Sequence, residues 1–111
     1  MMADRSLGLL QGTVDVLILK TLSWKSLHGF AIAEFIRQQS GGDLAVEDAA
    51  LYQALHRLER KGLLDSEWGI SDTNRRARIY SITAAGRKQL RSEVVELRRY
   101  MAALFRVLEP A

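Results

Sequence analysis

The segment from Ala50 to Gly86, ALYQALHRLERKGLLDSEWGISDTNRRARIYSITAAG, constrains the fold more than any other part of this sequence. It begins with leucines at the i, i+4, i+7 spacing of an amphipathic helix, which ends at Gly62. Two short extended runs follow at residues 63–68 and 76–82, and the turn-forming residues between them indicate a hairpin. Another helix then starts. This order of elements is typical of a winged helix-turn-helix, in which the hairpin is the wing.

The remaining sequence completes this fold with helices on both sides. Ser26 is a good N-cap for the second helix, and Thr83 is one for the last. The predicted helices cover residues 12–23, 26–40, 47–61 and 83–109. We therefore expect an α+β, mainly helical fold with a two-stranded wing. Residues 1–83 would form the winged domain, and residues 84–111 a long terminal helix.

The terminal helix carries a coiled-coil pattern. Its apolar residues step by four and three positions, the spacing of a seam between two helices: Leu90, Val94, Leu97, Met101, Leu104 and Leu108. The first helix is apolar on more than one face, so Val14 and Leu17 are expected to join this contact. Packing within one chain is the alternative, but it would leave too much apolar surface for so short a domain. We expect a homodimer.

Positive charge is concentrated in one part of the chain. Its 16 Lys and Arg residues exceed its 13 Asp and Glu residues, giving a formal net charge of +3. Residues 57–91 contain nine of these bases and four acids, whereas residues 1–56 contain four bases and six acids. A local excess of bases is the electrostatic footprint of a phosphate-binding surface, although a solvated basic surface would give the same count.

The composition excludes several classes of protein. With no cysteine, disulfides and thiolate metal sites cannot form. The sequence has two histidines on different helices, but it has no glycine-rich phosphate loop and no convergent carboxylates. We therefore expect neither an enzyme nor a cofactor or metal site. The start MMADRSLG is not a signal peptide, and the apolar run at residues 14–22 is too short to span a membrane. We expect a cytoplasmic protein without membrane contact.

The third helix and the wing contain the residue types that bind duplex DNA. An α-helix fits the major groove, where glutamine can pair with adenine and arginine with guanine. Small residues let the helix approach closely, and a tyrosine hydroxyl can reach a phosphate. The candidates on the helix are Ala49, Ala50, Tyr52, Gln53, His56 and Arg57. In the wing, Arg75 and Arg76 lie near the tip and suit an A·T-rich minor groove, with Arg78 behind them.

Several of these residues also have a purely structural alternative. Tyr52 could be half-buried in the core, and Arg57 could form an ion pair on a helix face. The wing arginines could simply be solvated. We expect Trp68 to pack beneath the hairpin, whereas Trp24 follows the apolar first helix and could border a ligand cavity.

The sequence resembles the PadR family of bacterial transcription regulators over nearly its whole length. The resemblance rests on LLQGTVDVLILKTL, LHGF, LYQALHRLERKGLL, SEWG and RRARIYSITAAGR. It implies a winged-helix domain, a dimerising C-terminal helix of the short subfamily, and action mostly as a repressor. Gln53 stands where family members commonly carry proline. Asn74, Ala77 and Ile79 depart from the usual wing of glycine, bases and two tyrosines.

The expected function is sequence-specific DNA binding by a homodimeric repressor on a near-palindromic operator. Two recognition helices would enter successive major grooves, about one helical turn apart. A small-molecule effector between the first and terminal helices would change their separation and release the DNA. The alternative is a winged-helix adaptor that binds proteins and not DNA, although such a protein would have little use for a basic wing tip.

Overall fold

The computed structural model describes residue 9 and residues 12–110. Its elements follow the predicted order, with one short strand in addition: α1 (Thr13–Leu22), β1 (Leu27–His28), α2 (Gly29–Gln39), α3 (Asp48–Arg60), β2 (Leu64–Ile70), β3 (Arg76–Ile82) and α4 (Ala84–Leu108). Helices dominate, and the three strands form one small antiparallel sheet. The predicted winged helix-turn-helix fold is thus confirmed.

The short strand β1 corrects the predicted start of the second helix. It pairs with β3 at the sheet edge away from β2, so the strand order is β1-β3-β2. Ser26 is not the N-cap, because its hydroxyl hydrogen-bonds that of Ser81 at 2.6 Å. The helix begins two residues later, where His28 is the cap and its Nδ1 accepts from the Ala31 backbone N–H at 3.4 Å.

One hydrophobic core holds the helices against the sheet. The leucine stripe of α3 is buried, which confirms that this face points inward. It packs with apolar side chains from α1, α2 and both long strands: Ile18, Leu19, Leu22, Ile32, Leu64 and Tyr80. Burial raises the pKa of the Tyr80 phenol, and the nearby Glu59 carboxylate adds to the rise.

Helix α4 divides its apolar seam between the core and the surface. Leu90 is only 8% exposed within the single chain, because α4 packs on α1 there. It is therefore a core residue of the single chain, and its predicted place in a dimer seam stays a prediction. Val94 and Leu97 are partly buried against the same core, as are Val14 and Leu17 of α1. Toward the C-terminus the seam is open: Met101 and Leu104 are half-buried, and Leu108 is 61% exposed.

The junction before α4 is fixed by one side chain. Thr83 Oγ1 accepts the Gly86 backbone N–H at 3.0 Å, as predicted for an N-cap. The same hydroxyl donates to the Gly62 carbonyl at 2.8 Å. The cap therefore also ties the start of α4 to the turn that follows α3.

No helix within the described part of the chain is long and apolar enough to cross a membrane.

Candidate nucleic-acid interface

An open groove of about 1030 Å³ lies between α2, α3 and the wing, the hairpin formed by β2 and β3. Its walls carry side chains from all three elements, aromatic and basic ones prominent among them: Phe30, Tyr52, His56, Trp68, Arg75 and Arg76. Tyr52 on α3 and Arg76 in the wing, which are 24 positions apart in sequence, thus line one surface. Of the predicted α3 contacts, Tyr52 and His56 line this groove with the wing tip, whereas Ala49, Ala50, Gln53 and Arg57 do not.

One face of α3 is open to solvent. Ala49, Ala50, Gln53 and His56 are all exposed. Tyr52 is 43% exposed and has one side against α2, where a Cβ added at Gly29 would lie 2.8 Å from the tyrosine hydroxyl oxygen. The tyrosine therefore packs over the glycine and still presents an edge to the groove. The side chain is thus half-buried, as in the structural alternative, and its predicted phosphate contact stays a prediction.

Arg57 is held by an acidic residue of another helix. Its guanidinium forms an ion pair and hydrogen bond with Asp15 of α1, whose side chain is mostly buried. An ion pair was the structural alternative predicted for Arg57, but on the surface of its own helix. The partner lies 42 residues away, and nothing in the sequence connects the two.

The wing tip is an ordered turn that presents two arginines. The Ser71 backbone N–H donates to the Arg75 carbonyl at 2.8 Å, and Asn74 adopts a left-handed conformation with φ of 61°. Asparagine tolerates this conformation better than most residues, which accounts for it in the turn. Arg75 and Arg76 are both exposed. The predicted basic tip therefore exists as a surface feature.

Trp68 does not pack beneath the hairpin, so that prediction is wrong. Its ring is 57% exposed and lies on the face of the wing that carries Arg76 and Arg78. The Arg76 guanidinium carbon is 4.6 Å from the ring centroid, and that of Arg78 is 5.4 Å away. Cation–π attraction orients both arginines along the wing.

Arg78 is further bound to α3. Its Nε donates to the Ser66 hydroxyl at 2.9 Å, and its Nη2 lies 3.8 Å from Glu59 Oε2. Ser66 in turn donates to the same Glu59 oxygen at 2.7 Å. Glu59 and Ser66 were not predicted as functional residues. The only sequence signal would have been the strand register, which places Ser66 opposite Tyr80 and two pairs from Arg78.

Two other features border this region. Glu34 forms an ion pair with Arg37, and the hydrogen bond from Arg37 lowers the pKa of the Glu34 carboxyl. Trp24 is exposed just after α1, with Lys20 Nζ 5.4 Å from its ring centroid.

Among the described residues, no group of three His, Asp or Glu side chains could hold a metal ion.

Packed helices, an α3 with one exposed face and a basic wing define a winged helix-turn-helix protein. The pattern of the Transcriptional regulator PadR-like family matches residues 18–92 of the chain. The chain belongs to this family, whose members are transcription regulators and not enzymes.

Solved structures of similar proteins agree with this assignment. A transcriptional regulator from Clostridium thermocellum is 29% identical, with a TM-score of 0.77 over 85% of this chain and 88% of that one. A PadR family transcription regulator from Clostridium difficile is 27% identical, with a TM-score of 0.75 over 87% and 99%. Bacillus subtilis PadR in complex with operator DNA is 20% identical and shares the fold, with a TM-score of 0.66 over 75% and 47%.

Proposed function

We propose that this PadR-family regulator is a homodimeric repressor that binds a near-palindromic operator. Helix α3 enters the major groove with Gln53 and the two alanines toward the bases, and the wing tip enters the adjacent minor groove. The observation that carries the proposal is the shared groove, which Tyr52 and His56 of α3 line together with the exposed Arg75 and Arg76 of the wing. Bacillus subtilis PadR, which has the same fold, was crystallised with operator DNA.

The test measures operator binding by fluorescence anisotropy at several salt concentrations, with DNA from upstream of the gene. Replacing Arg75 and Arg76 with alanine is expected to weaken binding to all sequences and to flatten the salt dependence by about one to two units, because about two phosphate contacts are lost. Arg98→Ala/Arg106→Ala is the matched control, since it removes two exposed bases of α4 that lie outside residues 57–91. No binding by the wild type would favour the adaptor alternative. An unchanged slope in the wing variant would show that the wing does not contact DNA.

Dimerisation is supported by the open end of the α4 seam. Leu104 and Leu108 leave apolar surface at the C-terminal end of the helix, beyond the part that packs on α1. A second α4 placed alongside would bury this surface and position two copies of α3 on one operator. Leu104→Glu is expected to shift the sedimentation coefficient to that of a monomer. Ala103→Glu, on the opposite side of α4, should leave it unchanged.

Release of the operator by a small-molecule effector completes the proposal. The exposed indole of Trp24, with Lys20 beside it, offers a planar apolar surface at the end of α1. A ligand that moved α1 against α4 would alter the separation of the two reading helices. The test is a ligand screen read by tryptophan fluorescence and then by operator affinity, with Trp24→Phe as the control. Ligands that bind without changing operator affinity would contradict the mechanism.

A further inference from the structure

The wing is attached to the reading helix by a continuous set of polar and aromatic contacts, which we call the wing brace: Glu59, Ser66, Arg78, Trp68 and Arg76. We propose that Glu59 and Ser66 are positioning residues that fix the wing against α3, and so set where the wing tip meets DNA. The effect on DNA rests on the proposed function. The brace itself is a property of the free protein.

The brace starts at the last turn of α3. Glu59 Oε2 accepts a hydrogen bond from the Ser66 hydroxyl at 2.7 Å, which connects the helix to β2. The Ser66 oxygen also accepts from Arg78 Nε at 2.9 Å, which extends the connection to β3. Ser66 therefore uses its single proton on Glu59 and a lone pair on Arg78. Both strands of the wing are thereby joined to one carboxylate.

The brace continues along the wing through Trp68. The Arg78 guanidinium carbon lies 5.4 Å from the indole centroid, and that of Arg76 lies 4.6 Å from it. These residues share a face because Trp68 pairs with Arg78, and the next outward pair on that face is Ile70 with Arg76. These contacts connect Glu59 to Arg76. The position of Glu59 therefore restrains Arg76, the neighbour of Arg75 at the wing tip. Arg78 serves as a link in this set, and its role as a DNA contact is secondary.

Because Glu59 is negatively charged, a positioning role and simple charge repulsion predict opposite changes in DNA affinity when the charge is removed. A carboxylate near a DNA-binding groove repels phosphate, so its neutralisation alone would tighten DNA binding. If Glu59 instead holds the wing in place, neutralising it frees the wing and weakens the contacts at the tip. The two effects oppose each other in direction, and the exposed acid Glu67 on the other face of β2 supplies the charge-only reference.

The first experiment measures the wing position without DNA. Because the chain has no cysteine, Ala49→Cys/Thr73→Cys places one spin label on α3 and one at the wing tip. Dilution with unlabelled protein restricts the signal to labels within one chain. Ser66→Ala and Glu59→Gln are expected to broaden the distance distribution, and Glu67→Gln should leave it unchanged. A distribution equally narrow in all four proteins would overturn the proposal.

The second experiment measures operator affinity with the unlabelled variants. Glu59→Gln and Ser66→Ala are expected to lose about three- to tenfold, the size of one hydrogen bond, and Glu67→Gln to gain slightly. Added to Arg75→Ala/Arg76→Ala, they should cost nothing more, because the wing contact is already gone. Tighter binding by Glu59→Gln would refute the positioning role. Failure of the wild type to bind DNA would instead refute the proposed function, and the distance measurement would still decide the brace.

Discussion

Gly86, in the first turn of α4, allows that helix to pack on the turn between α3 and β2. A Cβ built at Gly86 would lie 2.2 Å from the Leu63 carbonyl oxygen and 2.7 Å from Ile82 Cγ1. Nonbonded carbon and oxygen atoms normally lie at least about 3.3 Å apart, so alanine at this position requires a backbone shift of about 1 Å. The Leu63 oxygen also accepts the Thr83 backbone N–H at 3.1 Å, and the shift would break this hydrogen bond.

These distances determine the expected cost of Gly86→Ala. Overpacking against backbone costs about 1–3 kcal/mol, and the lost hydrogen bond adds about 1 kcal/mol. The higher helix propensity of alanine returns up to about 1 kcal/mol. The free energy of unfolding should therefore fall by about 2 kcal/mol, and the melting temperature of a chain this size by about 8 °C.

Urea unfolding followed by circular dichroism at one fixed protein concentration measures this difference, since a dimer would make stability concentration-dependent. Ala85→Gly is the control, because the neighbouring residue is exposed and loses only helix propensity, about 1 kcal/mol. If propensity alone mattered, Gly86→Ala would stabilise the protein. Such an increase would refute the close approach between α4 and the α3–β2 turn.

Three further predictions concern the candidate interface and the core. Asp15→Asn frees the Arg57 guanidinium, so operator binding should tighten and its salt dependence should steepen by about one unit; an unchanged slope would show that Arg57 makes no phosphate contact. Gln53→Ala should relax the preference at one base pair at a cost of about 1–3 kcal/mol, measured against a set of mutated operators, and a uniform loss would contradict base readout. Burial raises the pKa of Tyr80, so its stabilising contribution is complete below the unfolded value of about 10 and is lost as the pH rises through the folded value. Between about pH 9 and about pH 11.5, the urea midpoint should fall more for the wild type than for Tyr80→Phe. Parallel curves would show that the ionisation of Tyr80 does not cause the loss of stability.

Local patterns in the sequence were enough to predict most of the fold. The leucine stripe of α3, the turn residues between β2 and β3 and the Thr83 cap each act over a few residues, so each can be recognised from spacing alone. Strand β1 could not be found in this way. It has only two residues, and it is a strand because β3 lies beside it.

The contacts missed at the site have the same cause. Whether Leu90 faces a core or a partner depends on where α1 lies, and a heptad pattern is identical in both cases. The position of Trp68 depends on two arginines from the opposite strand, which hold its ring at the surface. The partner of Arg57 comes from a helix 42 residues earlier. Each of these contacts is created by the tertiary fold, so the sequence contains no local signal for it.

The two halves of α3 differ in how their side chains are engaged. Near its C-terminal end, Arg57 is paired with α1 and Glu59 is bound to the wing. In its first half, Ala49 and Gln53 are exposed, and no hydrogen bond or ion pair from these side chains is found within residues 12–110. A helix whose leucine stripe is packed along its length keeps its direction, while the exposed side chains of its first half adapt to base edges. Changes in the second half should therefore alter affinity for all operators together, and changes in the first half should alter which operator is preferred.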